Sequence, residues 1–350
     1  MSRRSTFVCA ILTGEQNAHS PYIRALLRTA ETIGVTAYAV TPRQILSEQR
    51  NDELPHVVYN RIPTRKEEAS LDTQRVKKWL KDQGIPYFNQ RFFNKREMDS
   101  ILRTDEELKT LLPDTLPVWE PEKVLQWLEE YEGIFVKPIS GSFGEGICRA
   151  SKVHGQYQLA SRDVTRVHTL IFAKPQDCLD ACRIRMRNMP FIVQEAIPLA
   201  KYEGCKTDFR VHIHRVTQDK WHVAAIGAKV AHPEGITTHV HSGGRVEDAD
   251  RVLRSWYGAQ MDHVRQEMEQ TANRIGQKLA GTLDPQLGEL GLDMGIAVDG
   301  RVVLFEANAK PGRSIFSHRS LRKAGSWSRI AVFQYARWLA EHNIAVGASR

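Results

Sequence analysis

The chain has 350 residues, enough for two or three compact lobes, and its 41% hydrophobic and 26% charged content is ordinary for a globular protein. Its apolar runs stop short of the roughly 18 residues that a membrane-spanning helix requires. The net charge of +8 comes from dispersed lysines and arginines. Without an RNA-binding signature carrying interleaved aromatics, this reads as a basic protein with anionic ligands, not as a nucleic-acid binder.

In chain order, Phe7–Leu12 is too short for a secretory leader and reads as a first strand. A periodic segment from Tyr22 to Ile33 leads to a second strand over Val35–Val40, and His56–Ile62 is a third. A helix from about Glu67 to Gln83 completes a βαβ rhythm, which predicts a small open sheet with helices on its faces. Helical pattern resumes over Asn94–Leu112 and Val124–Tyr131, followed by a strand at Ile134–Lys137 and a hairpin of Gly155–Leu159 with Thr165–Phe172. A basic helix at Gln176–Met189 precedes strands at Phe191–Gln194, Phe209–Val216 and Trp221–Val230. A single long helix over Ala249–Leu279, two closing strands (Leu292–Val298 and Val302–Glu306) and a helix at Trp327–His342 end the chain. Five scattered cysteines argue for a reducing compartment, and Cys178 and Cys182, four apart with no histidine at ligand spacing, do not make a zinc site.

Four groups of residues carry chemistry. The two closing strands are joined by the turn Asp299-Gly300, so Asp293 and Glu306 should lie close in space, and Asn308 shares a face with Glu306. Two carboxylates and an amide are hard oxygen donors suited to Mg²⁺. Strand Val136-Lys137 runs into a loop bearing Ser140, Gly141, Ser142, Gly144 and Gly146, whose backbone amides can close over phosphates beside the lysine charge. The loop lacks the spacing of a P-loop or a dinucleotide fingerprint. Gln194, Glu195 and Ile197 end an apolar strand that could offer backbone groups to an adenine edge, or be merely a strand. Alternation puts Asp208 and Arg210 on one face, where the guanidinium could brace a phosphoryl group or form only a surface pair with Asp208. His212 with His214, and His239 with His241, stand at strand spacing, and nothing in the sequence brings the two pairs together.

With these residues in view the chain resembles the ATP-grasp superfamily, in its YheC/YheD-type branch associated with endospore coats. The resemblance rests on Tyr87–Lys95, Val136-Lys137-Pro138 with its glycine loop, Phe191–Gln194, Tyr202-Glu203-Gly204 and Asp208–Val211. It continues through Gly235–Val240, Gly243-Gly244 and Glu306–Ser314. It implies an α/β (α+β) ATP-grasp fold: an N-terminal pre-ATP-grasp domain over 1–93 and an ATP-grasp domain over 94–350. The latter would divide into a smaller lobe (94–190) with the glycine-rich loop and a larger lobe (191–350) with the metal site.

Carried over by residue, the resemblance implies that Lys95 and Lys137 contact nucleotide phosphates and that Gly141 to Gly146 close over them. Gln194 to Ile197 would line adenine, and Asp208 would serve the ribose or phosphate side. Asp293, Glu306 and Asn308 would hold Mg²⁺ or Mn²⁺, and Arg210 would sit by the γ-phosphate or acyl phosphate. Separately from the resemblance, Arg313 and Ser314, just past the Pro311-Gly312 turn, are candidates to meet a substrate carboxylate. The implied reaction is ATP-dependent joining of a small-molecule or peptide carboxylate to an amine, or to a thiol, through an acyl phosphate. A kinase acting on a hydroxyl and a non-catalytic coat protein remain alternatives. The implied location is the cytoplasm, with association to the forespore or spore coat.

Overall fold

The computed structural model describes residues 7–47, 54–140, 146–162, 167–233, 235, 237–238 and 243–342. β1 (Val8–Leu12) is buried along its whole length, so both of its faces must be covered. α1 (Pro21–Thr32) begins where the Ser20 side chain accepts from the Ile23 amide, with Pro21 at the first helical position. Its buried Ile23, Leu26 and Ala30 recur on one face. β2 (Thr36–Val40) and α2 (Pro42–Leu46) follow, then β3 (Val57–Asn60). The helix expected over Glu67–Gln83 is two pieces, α3 (Arg65–Glu68) and α4 (Leu71–Asp82), because Ser70 caps the Thr73 amide and restarts the helix. With β4 (Tyr87–Phe88) these strands form a parallel sheet in the order β2-β1-β3-β4.

α5 (Lys95–Leu102) opens on a reciprocal capping box between Asn94 and Glu97. The second sheet is built from β5 (Thr115–Leu116), β6 (Ile134–Pro138), β7 (Cys148–Val153), β8 (Gln156–Arg162), β9 (Val167–Phe172) and β10 (Phe191–Glu195), in the order β5-β10-β6-β7-β8-β9. Between β5 and β6 lies α6 (Pro121–Glu130), and between β9 and β10 lies α7 (Pro175–Met186). Val124, Leu128, Leu179 and Cys182 of these helices pack on Val136, Cys148 and Leu159.

The third sheet runs β14-β13-β12-β15-β16, with β11 (Lys201–Tyr202) paired to β12 (Cys205–Arg215). Its other strands are β13 (Trp221–Val230), β14 (Arg245–Asp248), β15 (Glu289–Ile296) and β16 (Val302–Asn308). The single helix expected over Ala249–Leu279 is α8 (Ala249–Tyr257) and α9 (Met261–Thr282). They part at Gly258, whose φ of 53° is left-handed and ends the first helix. α9 lays Met268, Ala272, Ile275 and Leu279 on the sheet. The last helix, α10 (Arg322–His342), packs against β12 and β13 of the third sheet and inserts Val332, Phe333, Tyr335 and Leu339 into the core of the first.

The packing draws boundaries differently from residues 93/94 and 190/191. β10 hydrogen-bonds to β6, so the second sheet extends to Glu195. Phe93, Met98 and Leu102 join the core of the third sheet, not that of the second, and α10 completes the first. These groupings are fixed by contacts between residues far apart in sequence, which local patterning does not record.

Candidate functional site

A cleft of about 910 Å³, open to solvent, lies between the second and third sheets. Its apolar lining is Phe135, Ile147, Ile197, Leu199 and Phe305. Its charged lining includes Lys95, Lys137 and Lys229 with Asp208, Asp293 and Glu306. Such a combination of apolar walls and a few convergent polar groups is typical of small-molecule sites.

The acidic pair comes from β15 and β16. Their register sets Asp293 directly opposite Glu306, while Met294 faces Leu304, so β16 carries one extra residue there. This bulge turns neighbouring Phe305 and Glu306 both toward the cleft, which strict alternation would forbid. Asn308 lies two residues on, opposite Gly291, half-buried and not among the side chains lining the cleft.

Cations hold these carboxylates. Arg210 reaches Asp293 with a forked pair of bonds, Nε at 2.8 Å and Nη2 at 3.0 Å. Lys229 bridges Asp293 at 2.8 Å and Asp208 at 3.1 Å, and Thr238 donates to Asp208. Arg210 therefore does not pair with Asp208 at a surface; it is fixed on Asp293 by the β12–β15 register, which sets the two residues opposite each other. Burial pushes the Asp208 carboxyl above its usual range, with Lys229 drawing it down and Asp293 adding to the rise. Burial would lower Lys229, and the two carboxylates more than offset that. Lys95 meets Glu306 at 3.2 Å.

Lys137 projects from β6 between the rings of Phe135, 5.0 Å away, and Phe305, 5.9 Å away, and donates to Gln194. Burial, reinforced by Lys95, lowers its ammonium to about 8. The two lysines are brought together by the Lys95 amide, which donates 3.3 Å to the Ile139 carbonyl. Gln194 is buried and spans Lys137 and Thr115, whereas its neighbours Glu195 and Ile197 line the cleft. Ser140 is exposed, and Gly146 takes a left-handed φ of 72°. Gly141, Ser142 and Gly144 lie outside the described residues.

Sequence reasoning missed Lys229, Phe305 and the cleft's Arg149 and Lys206. A signal for Lys229 existed: it is the lone charge in Val223–Val230, and a lysine in so apolar a strand needs a buried partner.

Arg313 and Ser314 sit elsewhere. Ser314 is exposed at the start of a short 3-10 helix. Arg313 turns to the junction with the first sheet, donating to Glu289 at 2.9 Å and Ser328 at 2.7 Å beneath the Tyr22 ring. His212 and His214 share one face, with ring centroids 5.1 Å apart, and Glu289 Oε1 accepts from His212 Nε2 at 2.7 Å. These three offer ligand atoms within 4.8 Å of one another. The Arg313 guanidinium fills the space a cation would need, standing 3.5 Å from His212 Nε2. Burial lowers His212 to about 4 and takes His214 well below its usual value, so both are neutral. Glu289 lies well below its usual carboxylate value despite burial, drawn down by the His212 hydrogen bond and the Arg61 guanidinium. His239 and His241 lie outside the described residues.

A family model for the YheC/D like ATP-grasp matches residues 84–339. The endospore coat-associated protein YheD of Bacillus subtilis (strain 168) is 33% identical over 293 residues, covering 83% of this chain and 64% of YheD. The chain thus spans just under two thirds of that relative. YheC of the same organism is 21% identical over 271 residues, covering 74% and 71%. Among solved structures, the D-alanine–D-alanine ligase of Bacillus anthracis complexed with ATP superimposes with a TM-score of 0.58 at 12% identity, covering 98% of this chain and 100% of the ligase. The macrocyclase MdnC of Microcystis aeruginosa MRC, bound with its precursor peptide MdnA, gives 0.54 at 15% identity, covering 93% and 99%. These likenesses bear on the fold, a mixed helix-and-sheet arrangement shared with ATP-grasp proteins.

Proposed function

Because the chain belongs to the YheC/D-like ATP-grasp family, we propose that it is an ATP-dependent ligase that joins a carboxylate to an amine, or to a thiol, through an acyl phosphate. The observation that carries this reading is one cleft whose lining combines apolar walls with four lysines and five carboxylates. Adenine belongs against the apolar walls, between Phe305, Ile147 and Leu199, with the Glu195–Ile197 backbone along its edge. Lys95 and Lys137 then face the phosphates.

The donor set fits magnesium or manganese: Asp293 and Glu306 are opposed carboxylates on neighbouring strands, each in contact with a lysine, and Asn308 follows on the same strand. Bound metal would neutralise charge on the β- and γ-phosphates. Metal binding would take Glu306 from Lys95, freeing that lysine for phosphate. Arg210, anchored on Asp293, directs its remaining N–H groups toward Gly312, on the side where an acid would approach. The acid's oxygen attacks the γ-phosphorus, ADP leaves, and the amine nitrogen then attacks the acyl carbon as phosphate departs and a proton is lost. Positioning and charge stabilisation carry the rate in such a transfer.

The test is ATP turnover against pooled carboxylates and amines, with ADP and free phosphate measured together. Equal release of both supports the ligase; ADP without phosphate would point to a kinase. Glu306→Gln should lower turnover by about two orders of magnitude or more, and a variant turning over like wild type would sink the assignment. The names of YheD and YheC motivate a companion proposal, that the chain works at an endospore coat, tested by whether it copurifies with spore coats.

A further inference from the structure

In the first sheet the order β2-β1-β3-β4 reverses direction between β1 and β3, and crevices at the carboxyl ends of strands at such a point are common ligand sites. At that spot the buried Thr13 Oγ1, just past β1, has no hydrogen-bond partner among the described residues, and the buried Arg61 Nη1, just past β3, makes no hydrogen bond and stands 3.7 Å from Glu289. By alternation both follow Ile11 and Tyr59 onto the face covered by α1. Buried polar groups left unpaired are costly and call for an explanation.

The charge there does not balance internally. Arg61 and Arg313 approach the same Tyr22 ring, with guanidinium carbons 5.2 and 4.4 Å from its centroid. They share one carboxylate, Glu289, at 3.7 and 2.9 Å. Arg329 of α10 lies close enough to feel both Arg313 and Arg28. The Arg61 and Arg313 side chains keep 15% and 12% exposure, although Arg61 Nη1 and Thr13 Oγ1 themselves are buried.

This corner adjoins the reacting end of the nucleotide cleft. Arg61 Nη2 donates to the Pro311 carbonyl and Arg210 Nη1 to the next carbonyl, Gly312, each at 3.4 Å. Two guanidiniums that bracket one dipeptide are at most on the order of 10 Å apart. A planar guanidinium fork with a free N–H matches a carboxylate.

Resting on the ligase reading above, we propose that the acid substrate is a dicarboxylate: one carboxylate is activated beside Arg210, and the second is held by Arg61, Arg313 and the Thr13 hydroxyl. Arg61 and Thr13 then act as specificity residues, and a chain of about three carbons between the carboxylates spans the gap.

Calorimetric titration of the full chain with glutarate, butyrate and inorganic phosphate, each with and without saturating Mg-ADP, tests this. Glutarate should bind and butyrate should not. Arg61→Gln should weaken glutarate roughly 10- to 100-fold, Thr13→Val should weaken it less, and both should bind Mg-ADP as wild type does. Equal binding of glutarate and butyrate, no glutarate binding, or glutarate binding indifferent to both substitutions would overturn the proposal. Phosphate binding there with glutarate excluded would also overturn it. If Mg-ADP fails to bind, the ligase reading fails by itself, and the nucleotide-free titration still decides the anion site.

Discussion

Lys137 shows at the scale of one residue how burial prepares a group for its ligand. Its ammonium is brought down to about 8 by desolvation and by Lys95, so the free protein holds a lysine whose charge is only loosely retained. A phosphate placed beside it would favour the charged form. The sign follows: above about pH 8 the free lysine is neutral and must take up a proton as nucleotide binds, so ATP affinity should fall as pH rises past that point. Calorimetry at pH 7 and 9, in buffers of different ionisation enthalpy, would show the weaker binding and the proton uptake; equal affinity at both would contradict this role. The histidines make the converse case. Because His212 is depressed to about 4 and His214 also lies low, the unfolded chain binds more protons than the folded one between the ordinary histidine range and pH 4. Their neutral, buried state therefore supports stability above pH 6.5 and loses it progressively as pH falls toward 4. Denaturant midpoints should drop over that window, and His214→Gln should flatten the drop; an unchanged slope would speak against buried, neutral rings.

At the scale of elements, the bulge in β16 and the seat of α10 decide what the fold can do. The bulge lets one strand present both Phe305 and Glu306 to the cleft from adjacent positions. The seat of α10 depends on close approach at Gly288, where a methyl group would meet Tyr335 at 2.5 Å and Phe88 at 2.7 Å. Neither ring can yield easily: Phe88 stacks on Tyr59 with centroids 4.8 Å apart, and Tyr335 lies parallel to Trp338 at 5.9 Å. Gly288→Ala should cost about 1–3 kcal/mol through overpacking, read as a lower denaturant midpoint with an unchanged slope. A variant as stable as wild type would show that the helix is not held as tightly as this contact implies.

Across the whole molecule, the features legible in the sequence were those written in local pattern or in a single tight turn. A mostly apolar β-rich run marks Trp221–Val230 at its observed bounds, and the turn at Asp299-Gly300 puts Asp293 opposite Glu306. Sequence shows the lysine of β6 as well, because it follows the apolar run Ile134–Val136, and the arginine of β12, because it shares a face with Asp208 by alternation. What it does not show is decided by partners distant along the chain. β10 joins the second sheet through β6, α10 returns to the first, and Arg313 turns from the nucleotide cleft because buried Glu289 draws it to the other side of Gly312. Breaks in long helical patterns also escaped, since a serine cap at Ser70 or a left-handed Gly258 ends a helix without interrupting the apolar period.

The account stands on one cleft binding ATP through paired carboxylates and lysines. Calorimetric titration with ATP, with and without Mg²⁺, on the wild-type, Lys137→Ala and Glu306→Gln proteins tests that most directly. The structure leads to magnesium-dependent binding that each substitution weakens by about tenfold or more. Binding indifferent to magnesium and to both substitutions, or no binding by the wild-type chain, would contradict it.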